Sequence, residues 1–245
     1  MIGYDVDVRA FDAALRNLAA ASEQSTPEVF CTQMRLFAES IDKLTFPRTR
    51  AQGARAVERD LRRAVCPLDA KFFQSLKDER LKKRIKDLMR KRDLAALQSV
   101  LANVTHGRAQ LVPFSPELHS RVRNRRGRVE RSTGLYTADV TAWRAYLKKK
   151  QAMVGWARGG WNAFGRKVGY NTAAWVAKHG SAGGSASGDP THPVTPWIEG
   201  INRAVGIPGY EQRLRQLALR VRVQAMQRAF VEMLKRRARE NGFLP

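Results

Sequence analysis

The sequence predicts an α+β protein, mainly helical, with helices at the N-terminal end, a small antiparallel sheet in the middle and one long C-terminal helix. Three observations predict it. Apolar residues recur at three- and four-residue steps through the first hundred positions and again through the last thirty. Between Val104 and Tyr136 that period gives way to short apolar runs separated by Pro and Gly. A Gly/Ser-rich stretch from Gly180 to Pro190 then separates a basic, aromatic-rich region from the final helix.

Taken in order, Val8, Phe11, Leu15 and Leu18 form the first apolar stripe, and Phe30, Met34, Phe37, Ile41 and Leu44 the second. Ser25-Thr-Pro-Glu28 has capping-box spacing with Pro27 in the first turn, so a helix starts there. Pro47 ends it, because proline lacks an amide donor and restricts Phe46 before it. A third helix is expected from Gln52 to Ala64, stopped by Pro67, and a further helical stretch from Ala70 to Asn103. Within that stretch Lys77 to Arg92 carries nine basic residues against three acids. Its apolar stripe of Leu81, Ile85 and Leu88 is narrow, so most of its surface is solvated or bound to something. Asp78, Glu79 and Asp87 read as helix-surface partners of Lys82, Lys83 and Lys91.

Leu111-Val-Pro-Phe114 and the stretch Gly127 to Gly134 suggest extended chain and turns. Helical signals resume from Ala138 to Lys150 and around Trp161 to Val168. Gly155, Gly159 and Gly160 interrupt them, as glycines do where the backbone turns or another group approaches closely. Gly180 to Pro190 reads as a flexible linker, and without a Gly-Lys-Ser/Thr ending it is no phosphate-binding loop. A short strand is expected around Val194 to Ile198. The last helix runs from Gly209 to Glu240 with Leu214, Leu217, Val221, Phe230, Met233 and Leu234 at helical spacing, stopped at Asn241-Gly242. The expected division is a helical region 1–103 and a basic aromatic region 104–245, unless both belong to one domain.

Charge bounds the function. The 245 residues carry a formal net charge of +23, far more than a fold needs for its own stability, so the complement is a polyanion or an acidic protein surface. Six arginines, Arg121, Arg123, Arg125, Arg126, Arg128 and Arg131, fall within eleven residues with only Glu130 to offset them. From Asp139 to Asp189 there is no intervening acid, yet eight Lys/Arg and four of the five tryptophans lie there. Lys148, Lys149, Lys150 and Arg158 therefore join the six arginines as candidate contacts to a polyanion or a partner protein. Guanidinium groups suit phosphate and carboxylate oxygens because they present a planar fork of donors. Trp143, Tyr146, Trp156, Trp161, Phe164 and Trp175 suit core packing better than base stacking.

Enzymatic readings find little. His106, His119, His179 and His192 are scattered with no metal-ligand spacing, and the carboxylates form no pair suited to acid–base work or to holding Mg²⁺. Asp60 and Glu58 beside Arg59 and Arg62 look ordinary. Cys31 and Cys66 read as buried thiols with neither disulfide nor zinc spacing. No catalytic residue, metal or cofactor is expected. An apolar run of about 18 residues and a signal peptide are both missing, so the expectation is a protein made in the cytoplasm without a membrane partner.

Three phrases read in order, Leu44-Thr-Phe-Pro-Arg-Thr-Arg-Ala-Gln-Gly-Ala-Arg-Ala-Val-Glu-Arg-Asp-Leu-Arg-Arg63, Val154-Gly-Trp-Ala-Arg-Gly-Gly-Trp161 and Ala174-Trp-Val-Ala-Lys-His-Gly180, resemble virion proteins encoded in the tail modules of long-tailed DNA bacteriophages. The layout is similar to tail-completion, minor tail and head–tail joining proteins. The resemblance implies a non-enzymatic structural role in the neck or upper tail of the virion. Ring assembly would then join copies of the chain to other neck and tail proteins around packaged DNA. In that setting Leu214, Leu217, Val221, Phe230, Met233 and Leu234 are the candidate assembly interface. The alternative is a non-specific nucleic-acid-binding protein using Arg121 to Arg131 and the aromatics that follow.

Overall fold

The computed structural model describes residues 8–105, 107–124, 128–194, 196–203 and 210–240. In chain order α1 (Val8–Ser22), α2 (Thr26–Leu44) and α3 (Arg50–Ala64) lead to a two-residue strand β1 (Cys66–Pro67). Three helices follow, α4 (Ala70–Ser75), α5 (Glu79–Lys91) and α6 (Leu94–Val104), then β2 (Gln110–Leu111), α7 (Pro116–Arg121), β3 (Leu135–Thr137) and α8 (Val140–Ala152). The short helices α9 (Trp156–Gly159), α10 (Asn162–Lys167) and α11 (Ala174–Ala177) precede β4 (Ser185–Asp189), β5 (Trp197–Ile201) and the long α12 (Tyr210–Glu240). The chain is mainly helical with small sheets, as its periodicity predicts.

The fold divides into two compact units. The first combines Met1–Arg50 with Gly155–Pro245, and the second is Ala51–Val154. The expected division between 103 and 104 falls inside the second unit, in the last turn of α6, which the structure ties to β2. Those two elements are clamped by Gln98, whose amide donates to the Ala109 carbonyl at 2.8 Å.

In the first unit α12 packs along α1 and α2. Phe11, Leu15 and Leu18 from α1, Val29, Met34 and Ala38 from α2, and Met226 from α12 fill the core with Phe164 of α10. The capping box forms as spaced: the Ser25 amide donates to Glu28 Oε2 at 2.9 Å and the Glu28 amide to Ser25 Oγ at 3.4 Å. Residues 180–190 are not a linker. Ser185–Asp189 pairs antiparallel with Trp197–Ile201, in the register Ser185 with Ile201 and Asp189 with Trp197. Small residues here serve close packing. A Cβ at Gly200 would lie 2.5 Å from Phe164 Cδ2, so the bare strand is what lets the Phe164 ring rest on it.

In the second unit β1, β3 and β2 form a sheet in which both pairings are parallel, Cys66 with Tyr136 and Leu111 with Tyr136. The antiparallel expectation for the middle of the chain is thus corrected: β3 lies between β1 and β2, and the stretch from 128 to 134 contributes no strand. The helical stretch expected from 70 to 103 is divided into α4, α5 and α6. Asp78 and Asp93 each cap a new helix, Asp78 Oδ1 accepting from the Arg80 amide at 2.8 Å and Asp93 Oδ1 from the Ala96 amide at 3.0 Å. Leu68, Ile85, Leu97 and Leu101 form one core beside the sheet, and Ala64, Val65 and Val129 another. The start of α12 at Gly209, its stop at Asn241-Gly242, and His106 lie outside the described residues.

Candidate functional site

The positive charge is unevenly divided. Residues 51–154 hold 25 Lys/Arg and 10 Asp/Glu, a net +15 out of the whole chain's +23. Repulsion within so basic a unit opposes its compactness, which makes its few acids the places to look for order.

Asp60, on α3, is the hub of the arginine-rich segment. His119 of α7 is 3% exposed, and its Nε2 donates to Asp60 Oδ2 at 2.9 Å while Nδ1 lies 3.3 Å from the Tyr146 hydroxyl. The Val129 amide donates to Asp60 Oδ1 at 2.7 Å, and Arg123 Nε approaches Asp60 Oδ2 at 3.6 Å. Asn124 and Arg128 bond reciprocally, Asn124 N to Arg128 O at 2.9 Å and Arg128 N to Asn124 Oδ1 at 3.1 Å. With Val129 buried, both stems of the loop are fixed, and Arg121, Arg123, Arg128 and Arg131 stand exposed on it. Arg125 and Arg126 lie outside the described residues. His119, one of four scattered histidines in the sequence, is a buried tether with both ring nitrogens engaged. Nothing in local spacing marks it, because its partner is 59 positions away.

Burial raises the Asp60 carboxyl, but hydrogen bonds from His119 and Val129 and the charge of Arg123 outweigh it and leave it below the ordinary Asp range. Asp69 is lowered in the same way, burial being outweighed by Arg62 and the Phe72 amide. Glu58 is lowered chiefly by its hydrogen bond from Lys71. A carboxylate whose folded pKa is depressed contributes stability above its unfolded pKa, near 4, and loses that contribution as pH falls through the folded value. Urea midpoints are therefore expected to hold from pH 7 to about 5 and to drop below about pH 4. Asp60→Asn should be less stable at pH 7 and show a shallower acid loss; an unchanged slope would exclude Asp60 from the effect.

Lys148 and Lys149 are exposed on α8, and Lys150 Nζ sits 5.2 Å from the centre of the Tyr146 ring. Tyr146 in turn meets His119 and Phe114 edge-on or tilted, so the lysines and the arginine loop share one structural support. Arg158 is a correction. It belongs to the first unit, is 5% exposed, and holds Asp42 with two guanidinium nitrogens, so it offers nothing to a partner. Trp143, Trp161 and Phe164 are buried and Trp175 half-buried, as core packing requires, while Trp156 is 40% exposed. Cys31 and Cys66 are free and half-buried rather than fully buried.

The expected assembly residues on α12 divide by helical face. Leu214 is 5% exposed in a core with Ile41, Trp161 and Ala218, and Met233 packs on the α1–α2 core. Phe230 is half-buried. Leu217, Val221 and Leu234 are exposed, and Val231, which sequence reasoning passed over, joins them. At 100° per residue Leu217, Val221 and Val231 fall within about 80° of arc, beside buried Leu214 rather than opposite it, and exposed Gln224 and Arg228 lie in the same arc between them.

Among the described residues no group of three or more His, Cys, Asp or Glu could hold a metal ion. No described helix is long and apolar enough to cross a membrane. No family model, no curated protein and no solved structure matches the chain.

Proposed function

We propose that this chain is a non-enzymatic structural protein of a long-tailed phage virion, completing the tail or joining it to the head. The observation that carries the reading is the set of large apolar side chains that α12 leaves in solvent, Leu217, Val221, Val231 and Leu234, all between 39% and 46% exposed. A helix already packed on its own core has no need of four more of them, and exposed apolar patches mark protein contacts. Arg213, Arg220 and Arg228 are exposed on the same helix, which carries nine Lys/Arg against three Glu overall. Two such surfaces set face to face would bring like charges together. The fitting neighbour is an apolar ridge edged by carboxylates on a different surface, the head-to-tail contact from which rings are built. The phage setting comes from the sequence resemblance, and the basic second unit supplies a surface for packaged DNA or an acidic neighbour.

The second reading, a non-specific nucleic-acid-binding protein, draws on the anchored loop that presents Arg121, Arg123, Arg128 and Arg131. The two part in a phage whose copy of this gene stops early. The structural role requires filled heads and tails to accumulate apart there, with joining restored by complementation, whereas normal particles would leave the second reading alone.

A further inference from the structure

We infer that α5 is a contact for the phosphate backbone of duplex DNA. The inference rests on the proposed place beside packaged DNA and names a surface for it outside the arginine loop.

The helix is rigidly mounted. Asp78 caps its start, and Arg92 ends it in the left-handed region (φ 58°) with its amide donating to the Leu88 and Met89 carbonyls. Ile85 is 0% exposed, and Leu81, Leu88 and Met89 pack beside it on the core. The helix backbone therefore needs no further ordering when a ligand arrives, and only its exposed side chains have to be fixed.

Every acid of the helix and its cap has a use within the element. Asp78 accepts the first amides, Glu79 pairs with Lys82 at 2.6 Å, and Asp87 pairs with Arg90 at 3.4 Å. Among the described residues Arg80, Lys83, Arg84, Lys91 and Arg92 make no ion pair, and all five are exposed. At 100° and 1.5 Å per residue, Arg80, Arg84 and Lys91 form a row within about 40° of arc and about 16 Å long. Lys83 and Arg90 form a second row on the other side of Asp87.

This pattern favours DNA over the other polyanions. Protein interfaces are built on apolar or aromatic anchors, and the outer face of α5 presents none. The major groove of B-DNA is about 12 Å wide and admits a helix, so that one cation row meets the phosphates of each strand. The deep, narrow major groove of duplex RNA does not admit one.

The test is fluorescence anisotropy of the full chain with a labelled 30-base-pair duplex of arbitrary sequence, titrated from about 50 to 300 mM KCl. Three proteins are compared: wild type, an α5 variant with Arg80, Lys83, Arg84 and Lys91 all replaced by Gln, and a loop variant with Arg121, Arg123, Arg128 and Arg131 replaced by Gln. Glutamine keeps helix propensity, and the four α5 sites are exposed, so the fold is expected to survive. Should the α5 variant not match wild type in circular dichroism, the pairs Arg80→Gln/Arg84→Gln and Lys83→Gln/Lys91→Gln take its place. With each phosphate contact contributing about 0.9 to the log–log salt slope, the α5 variant should lose about three to four units of slope and at least tenfold in affinity near 100 mM salt. Three results would overturn the inference: an α5 variant that binds like wild type, a wild type that does not bind the duplex, or α5-dependent binding of poly-glutamate in preference to DNA. None of the three would touch the particle phenotype, so the proposed structural role is judged separately.

Discussion

Replacing Asp42 by Ala is expected to destabilise the first unit by about 3–5 kcal/mol, the cost of leaving a buried guanidinium without its partner. The Arg158 and Asp42 side chains are 6% and 1% exposed. Arg158 Nε donates to Asp42 Oδ1 at 2.7 Å, and its Nη1 reaches the Pro47 and Arg48 carbonyls at 3.1 and 2.9 Å. The guanidinium also lies 5.0 Å from the centre of the Trp175 ring. Tyr170 completes the cluster, its hydroxyl donating to Asp42 Oδ2 at 3.0 Å, and burial followed by the Asp42 charge pushes that phenol far above its ordinary range. Removing the carboxylate strands both the arginine and the tyrosine. Replacing both charges together, Asp42→Leu with Arg158→Met, should cost less than Asp42→Ala alone, because no buried charge is left behind. Urea denaturation of the three proteins checks the order. A loss under about 1 kcal/mol for Asp42→Ala, the size of an exposed pair, would mean that water reaches this cluster.

Trp143→Ala should have an effect of similar size in the second unit, about 3–5 kcal/mol for emptying a large buried site. Trp143 is 1% exposed, its indole Nε1 donates to the Val65 carbonyl at 3.0 Å, and the Arg62 guanidinium covers the ring at 5.1 Å. Arg62 holds Glu58 at 3.1 Å and both oxygens of Asp69. The tryptophan therefore joins α8 to the end of α3 and supports the acids that temper the unit's charge. Trp143→Phe keeps much of the volume and gives up the hydrogen bond, so its cost should be smaller, about 1–3 kcal/mol. Equal losses for Phe and Ala, read by thermal denaturation, would show that the hydrogen bond and not the packing matters here.

Much of this architecture is legible in the sequence because it repeats. The stripes of α1 and α2, the capping box at Ser25 and the helical course of α12 through Tyr210–Glu240 all follow from helical period and cap chemistry acting over a few residues. The parallel sheet is not legible in the same way. Its strands are two or three residues long, too short for any period, and Cys66 pairs with Tyr136 across seventy positions. The β4–β5 pair is legible in part: the strand expected around Val194 to Ile198 overlaps β5, whereas the glycines and serines of β4 signal flexibility when read alone, and their pairing partner lies beyond the local pattern. Asp78 reads in the sequence as a surface partner of the neighbouring lysines, and only the folded chain shows it capping α5.

Charge was legible in amount and not in disposition. Arg158 sits in an acid-free stretch and reads as a surface cation, while its partner Asp42 is 116 positions away. Asp60 looks ordinary beside its neighbours on α3 and organises the arginine loop through contacts 59 to 69 positions distant. On α5 the opposite holds: the narrow apolar stripe already implied a helix that turns most of its cations outward.

The proposed role is to build particles rather than to act on a substrate. Electron microscopy of lysates from a phage with an early stop codon in this gene, with and without complementation by the wild-type chain, tests it most directly. Without the chain, filled heads and separate tails, or tails of aberrant length, are expected, with normal particles restored by complementation. Intact, infectious particles made without the chain would contradict it.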